Sequence, residues 1–186
     1  MKKASLYLAA LVLSAFILEC RALDDEHQKT IDGIAKLAPL VGKWHAVARF
    51  HDKDRIIENI GTYTISYVLD NTYLRWEVEL HNKDNPKRSQ SWVIYTTFNP
   101  GTNQYNQTYF YSNWAQRVTE SGEYDDETKE YKTSALVPLE DGAHDESVRT
   151  ITSLKDPDRI TYNHFSRYNN ENAERMNVDI TLTREN

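Results

Sequence analysis

Nine clusters of turn-forming residues cut this chain into short segments, and their spacing constrains the fold more than any other feature. The clusters are DKDR (52–55), DN (70–71), NKDNPK (82–87), NPGTN (99–103), SNW (112–114), DDET (125–128), PLEDGAHD (138–145), KDPDR (155–159) and NNENA (169–173). From Lys43 onward, none of the ten segments that they separate has helical periodicity. Because connections this short join antiparallel neighbours, the spacing predicts a meander of about ten antiparallel strands.

Apolar residues alternate with other residues inside these segments, as they do in strands with one buried face. Three such sets are Trp44, Ala46, Ala48 and Phe50; Leu74, Trp76, Val78 and Leu80; and Met176, Val178, Ile180 and Leu182. Ten twisted antiparallel strands remove their exposed edges by closing on themselves, so we expect an all-β, up-and-down barrel. A two-sheet sandwich is the alternative, because both architectures give the same alternation.

The first 22 residues have the pattern of a secretory signal peptide. Two lysines precede an apolar run over residues 4–18, which is too short to span a bilayer comfortably. Small residues at Cys20 and Ala22 predict cleavage after Ala22, which leaves one exported domain over residues 23–186, periplasmic or secreted. The alternatives are an uncleaved membrane anchor and a bacterial lipoprotein that keeps Cys20 as its lipidated first residue.

The mature domain is acidic and has no cysteine. Removing residues 1–22 takes three basic residues and one acidic residue from totals of 22 and 28, so the net charge becomes −8. This charge argues against nucleic acid and anionic membrane surfaces as partners. Since Cys20 is the only cysteine, the mature domain has no residue for a disulfide, a zinc–thiolate site or a cysteine nucleophile. Its stability must therefore come from its core alone.

A short helix and a Gly-x-Trp motif precede the strands. Apolar residues recur every three positions from Ile31 to Leu40, which predicts an amphipathic helix ending near Pro39. The stretch LAPLVGKWHAVARF (37–50) resembles the opening of calycin barrels. The later segments YTTFNPGTNQY, ESGEYDDETKEY and LKDPDRITYNHFSRYNNENAERMNVDITLTREN are similar to the lipocalin-like domain-of-unknown-function-1579 family. The similarity runs over about residues 34–184.

This resemblance implies a structural role for both ends of the barrel sequence. In calycins a terminal arginine packs over the tryptophan of the Gly-x-Trp motif. The matching residues here are Gly42, Trp44 and Arg184. A guanidinium group over an indole face contributes on the order of 1 kcal/mol to stability.

Small and aromatic residues on inward faces predict a cavity for a small, partly hydrophobic ligand. Two alanines leave space beside the tryptophan, and alternating tyrosines would line that space with rings and hydroxyls. An inward arginine would favour an anionic group. The predicted ligand-binding residues are Trp44, Ala46, Ala48, Tyr105, Tyr109, Tyr111, Arg117, Tyr162 and His164. If the rings fill the interior instead, the barrel is solid and serves as a structural or interaction module.

Two further alternatives involve other chemistry. His164 shares a strand face with Ile160 and Tyr162, and nitrobindin-like haem proteins, a related calycin branch, use a late histidine as the axial ligand. Residues 45–47 depart from the glycine-rich stretch of that branch, so we expect no cofactor, with haem at His164 as the alternative. Enzyme motifs and zinc-binding histidine pairs are absent from the sequence. A small barrel isomerase or cyclase with an interior Tyr or His as acid or base stays open.

Overall fold

The computed structural model describes residues 23–52, 55–112, 114–138, 145–168 and 173–185, and strands dominate it. They are β1 (Gly42–Asp52), β2 (Arg55–Val68), β3 (Tyr73–Asn82), β4 (Ser89–Asn99), β5 (Gln104–Tyr111), β6 (Trp114–Asp125), β7 (Glu130–Pro138), β8 (Asp145–Asp156), β9 (Arg159–Tyr168) and β10 (Arg175–Arg184). Each predicted turn cluster falls at a junction between consecutive strands. The predicted signal peptide, residues 1–22, lies outside the described residues.

The ten strands form one closed antiparallel barrel, in which each strand pairs with its neighbours along the chain. Closure comes from β10, which pairs with β1 and places Trp44 opposite Arg184 and Ala48 opposite Ile180. The all-β, up-and-down barrel is therefore confirmed. The sandwich alternative is excluded, because a sandwich has two sheets and this fold has a single closed one.

A helix at residues 23–35, named α1, precedes the barrel and is followed by a 3-10 turn at Ala38–Leu40. The predicted helix end near Pro39 is corrected, because α1 stops at residue 35. Proline disfavours helical backbone at the preceding residue, and its ring clashes with the carbonyl four residues earlier. Ile34, Leu37 and Leu40 are fully buried in the barrel core, so this segment covers one end of the barrel.

Arg184 and Trp44 hold the covered end together. The Arg184 guanidinium carbon lies 4.1 Å from the centre of the Trp44 ring. The two terminal nitrogens of Arg184 donate to the carbonyl oxygens of Val41 and Pro39, each at 3.0 Å. Gly42 has a φ of +144°, and a Cβ atom at this position would lie 2.6 Å from one of those nitrogens. Only glycine suits this position, since any side chain would displace the arginine.

The alternating strand faces point inward as the sequence predicts, with one exception in β10. Ile180 and Leu182 are 4% and 1% exposed, whereas Met176 is 40% exposed. The register between β10 and β9 shifts between Met176 and Val178. An irregularity of this kind changes which face a residue occupies, so the inward prediction for Met176 is wrong.

Candidate functional site

A cavity of about 160 Å³ lies inside the barrel, at the end opposite α1. Phe50 lies near the end of β1, Tyr111 ends β5, and Gln90 follows the start of β4, so all three reach the same rim. The lining residues are Phe50, Tyr63, Trp76, Gln90, Trp92, Ile94, Tyr109, Tyr111, Tyr162, His164, Val178 and Ile180. An apolar protein cavity of about 150 Å³ holds one benzene, so this cavity has the size of a one-ring molecule.

Aromatic rings form much of the cavity wall. The rings of Tyr109 and Tyr111 are parallel within 6°, with centroids 6.1 Å apart. Trp92 packs against Tyr111 at 6.1 Å and meets Tyr63 edge to face at 6.3 Å. Each such pair contributes about 0.5–1.5 kcal/mol beyond the burial of its area. The packed rings hold one another in place and present flat apolar surfaces to the cavity.

A buried acid, Glu120 of β6, lies behind the cavity wall and is hydrogen-bonded to the lining residue Tyr109. Its Oε2 atom accepts hydrogen bonds from the hydroxyls of Thr133, Thr150 and Tyr109, the last at 3.2 Å. The Tyr109 hydroxyl also lies 3.2 Å from the Tyr162 hydroxyl. Burial raises the pKa of the Glu120 carboxyl above its ordinary value, and the three hydroxyl donors only partly oppose this shift. Two cavity-lining tyrosines are thus connected to one buried carboxyl group.

A line of hydrogen bonds connects Trp76 to the same acid. The Trp76 indole N–H donates to the Thr96 hydroxyl at 3.1 Å, and that hydroxyl donates to the Gln107 side-chain oxygen at 3.1 Å. The Gln107 side-chain nitrogen donates to the Tyr109 hydroxyl oxygen, and Tyr109 donates to Glu120. An indole nitrogen can only donate, so the Thr96 hydroxyl oxygen is the acceptor in the first bond of this line. All the donors point towards Glu120.

His164 of β9 supplies the imidazole ring of the cavity lining. Burial lowers the pKa of its imidazole from 6.5 to about 4. Its Nδ1 atom is buried and has no hydrogen-bond partner. The ring is therefore neutral at pH 7, with one nitrogen able to donate and the other able to accept.

The predicted ligand-binding residues fall into three groups. Those that line the cavity are Tyr109, Tyr111, Tyr162 and His164. Those that lie in the barrel core but do not line the cavity are Trp44, Ala46, Ala48 and Tyr105. Arg117, alone in the third group, is exposed.

The placement of the core group corrects the prediction of space beside Trp44. Ala46 and Ala48 are fully buried in the core cluster and do not line this cavity, so the surroundings of Trp44 are packed core. The Trp44 indole nitrogen donates to the Leu40 carbonyl oxygen at 2.8 Å, and the Tyr105 hydroxyl donates to the Gly33 carbonyl oxygen at 2.7 Å. Both aromatic side chains therefore attach the covered end of the barrel to the segment that precedes it.

The placement of Arg117 corrects the prediction of an inward cation. Val118 and Glu120 of β6 face the barrel interior. Because successive side chains of a strand point to opposite faces, Arg117 lies on the outer face. Among the described residues, no lysine or arginine lines the cavity. A contact between Arg117 and an anionic ligand group therefore has no support in this arrangement.

Sequence reasoning misses Glu120 and several lining residues. Glu120 shares its strand face with Val118 and Tyr124, which pack against the core, and an acid on such a face is the signal that could have revealed it. Trp92 and Ile94 are harder to assign, because β4 carries apolar residues on both faces. Alternation gives no direction in such a strand.

The haem alternative depends on the space around His164. A neutral imidazole with an unpartnered nitrogen is a suitable axial ligand. The cavity, however, has the volume of one benzene, and a tetrapyrrole is several times larger. These residues therefore do not fit a haem inside the barrel. Across the described ranges, His, Cys, Asp and Glu side chains form no group of three or more that could hold a metal ion.

Comparison with known proteins identifies the family. The sequence profile described as "Protein of unknown function (DUF1579)" matches residues 34–184. The chain belongs to this family. The DUF1579 barrel is similar to the crystal structure of Rv2717c from M. tuberculosis, with 17% sequence identity and a TM-score of 0.60. That similarity covers 83% of this chain and 98% of the other, and at this identity it shows the fold alone.

No curated protein matches this DUF1579 chain. Within the described residues, no helix combines the length and apolar character needed to cross a membrane.

Proposed function

We propose that this DUF1579 barrel is an exported binding protein for a small, largely apolar molecule, held non-covalently in the cavity opposite α1. The aromatic-walled cavity of about 160 Å³ is the observation that carries this proposal. Binding would remove apolar ligand surface from water, which is worth about 25 cal/mol per Å². Tyr162 and His164 would supply the directed hydrogen bonds.

The lining of the cavity supports a ligand more than a solid structural barrel. Protein interiors are close-packed, so a space of about 160 Å³ walled by aromatic rings is not a filled core. A molecule of matching size would cover these apolar ring faces and remove them from water when it binds.

Export is the part of the proposal that depends on residues 1–22. Their basic start and short apolar run are typical of a signal peptide. N-terminal sequencing of the protein from fractionated host cells or medium would test it. We expect a mature chain that begins at Leu23. A chain that retains residues 1–22 in the membrane fraction would contradict export.

Native mass spectrometry of the protein purified from its own host tests the binding function. We expect a second species, heavier by the mass of one small organic molecule, that disappears on denaturation. Ile180 lines the cavity and is 4% exposed, so Ile180→Phe should fill the space and abolish the heavier species. Ile56 is 60% exposed, which makes Ile56→Phe the matched control that should retain it. A wild-type chain with no bound molecule and no affinity for one-ring compounds would contradict binding.

A small barrel isomerase or cyclase is the second candidate, and His164 is the observation that favours it. Its neutral imidazole lines the cavity, and a general base needs that protonation state. Nuclear magnetic resonance of one-ring probes incubated with the protein would detect turnover. Conversion that is lost in His164→Gln, while the probe still binds, would favour the enzyme over the binding protein.

A further inference from the structure

We infer that the ligand of this cavity donates a hydrogen bond to the Tyr162 hydroxyl oxygen, so the cavity selects one-ring molecules with an O–H or N–H group and rejects anions. This inference rests on the proposed binding function and adds the chemical class of the ligand. It follows from the direction of the hydrogen bonds around Tyr109 and Glu120.

Tyr109 has a single hydroxyl proton. That proton is donated to Glu120 Oε2 at 3.2 Å. The Tyr109 oxygen accepts a hydrogen bond from the Gln107 side-chain nitrogen, which cannot accept one in return. The remaining contact of Tyr109 is the 3.2 Å approach to the Tyr162 oxygen. Because Tyr109 has no second proton, Tyr162 is the donor in that contact.

Tyr162 therefore offers a ligand its hydroxyl oxygen and not its proton. Its only proton points to Tyr109, and its oxygen retains the capacity to accept. A ligand hydroxyl or N–H group can donate to this oxygen. An ether or carbonyl group can accept from the N–H of the His164 ring, but against the Tyr162 oxygen it places its own lone pairs with no proton between them. A buried acceptor left without a donor costs free energy, so such ligands bind more weakly.

The charges around the cavity disfavour an anionic ligand. Glu120 lies directly behind Tyr109, and the described lining residues include no lysine or arginine. His164 supplies no positive charge at pH 7, because burial lowers the pKa of its imidazole to about 4. A carboxylate ligand would lose its hydration without gaining a cation, which is strongly unfavourable.

Calorimetric titration with matched one-ring probes tests the inference. Para-cresol, anisole and ethylbenzene have the same number of non-hydrogen atoms, but only para-cresol carries a donor. We expect para-cresol to bind about tenfold or more tightly than either of the others, and benzoate not to bind. Equal binding of anisole and para-cresol would overturn the donor inference and leave the proposed binding function intact. If none of the three binds, both are overturned.

Two variants test the role of each hydroxyl. Tyr162→Phe removes the acceptor, so para-cresol should lose its advantage while ethylbenzene still binds. Tyr109→Phe frees the Tyr162 proton to face the cavity, so anisole should gain relative to para-cresol. Tyr95 pairs with Thr108 on the outer side of the barrel, and Tyr95→Phe is the control that should leave all three affinities unchanged.

Unfolding curves of each variant are recorded before the titrations. Tyr109→Phe also removes a partner of buried Glu120, and if that variant does not fold, Tyr162→Phe decides the question alone. A tenfold preference for para-cresol that persists in Tyr162→Phe would overturn the inference.

Discussion

His164 is the residue whose protonation reports most directly on the cavity. Burial lowers the pKa of its imidazole to about 4 in the folded chain, against 6.5 in an exposed one. Between these pH values the unfolded chain binds more protons, so the free energy of unfolding decreases as the pH falls from 6.5 to 4. We expect His164 to account for up to about 3 kcal/mol of that decrease. Urea unfolding curves across this pH range measure it.

Comparison with His164→Gln isolates this contribution. Glu120 titrates in an overlapping range with the opposite sign, because its raised pKa lets the folded chain bind more protons and stabilises the folded state as the pH falls. Since Glu120 is present in both chains, their difference should show the imidazole alone. His45→Gln, at an exposed histidine, is the matched control for the substitution itself. A His164→Gln chain with the same pH dependence as the wild type would contradict the buried, neutral histidine.

Arg184 is the residue on which the covered end of the barrel depends. Its forked guanidinium group contacts the Trp44 ring and two backbone carbonyls at once. Lysine keeps the charge but not the planar fork, so Arg184→Lys should lower the free energy of unfolding by about 1–2 kcal/mol. Arg117→Lys, on an exposed arginine, should change it by less than about 0.5 kcal/mol. Urea denaturation compares the two, and equal effects would show that the fork is not needed.

At the scale of elements, the strands can be predicted from the sequence because burial on one face forces alternation. Leu74, Trp76, Val78 and Leu80 are each no more than 1% exposed, as their spacing predicts. The apolar spacing does not predict where α1 ends. Leu37 and Leu40 continue the helical spacing and are buried, but both lie in the turn that follows the helix. The Pro39 ring clashes with the carbonyl of residue 35 in helical backbone, so the helix ends one turn before the proline and not at it.

The candidate site is less predictable than the elements that hold it. Small residues on one strand do not define a cavity, because side chains from other strands can fill the same space, and Ala46 and Ala48 lie in packed core. The inward position of Glu120 is equally hard to predict from its own strand. That position depends on hydroxyls from β5, β7 and β8, and a single strand does not reveal those partners.

The segment between α1 and β1 can be tested with a matched pair of leucines. Leu37 is fully buried in the core, whereas Leu136 on β7 is 64% exposed. Leu37→Ala should lower the free energy of unfolding by about 2–5 kcal/mol, because it leaves a void at the covered end. Leu136→Ala should change it by less than about 0.5 kcal/mol. Urea denaturation measures both, and a small loss in Leu37→Ala would mean that this segment does not close the barrel.

At the scale of the whole molecule, stability and binding both depend on closure of the barrel. The pairing of β10 with β1 joins the two ends of the sheet and brings Val178 and Ile180 of β10 to the cavity beside Phe50 of β1. Without β10, the edges of β1 and β9 would both be unpaired. Unpaired edges of this kind favour association with other chains.

Two truncations compare closure with simple shortening of the chain. Removing residues 175–186 deletes β10, so we expect loss of cooperative unfolding, loss of one-ring ligand binding, and aggregates in size-exclusion chromatography. Removing residues 23–29, which are all exposed on α1, should retain cooperative unfolding and the affinity for para-cresol. Circular dichroism during urea titration follows both chains. A monomer without β10 that still unfolds cooperatively and binds para-cresol would show that closure is not needed, and the cavity would then belong to the remaining nine strands alone.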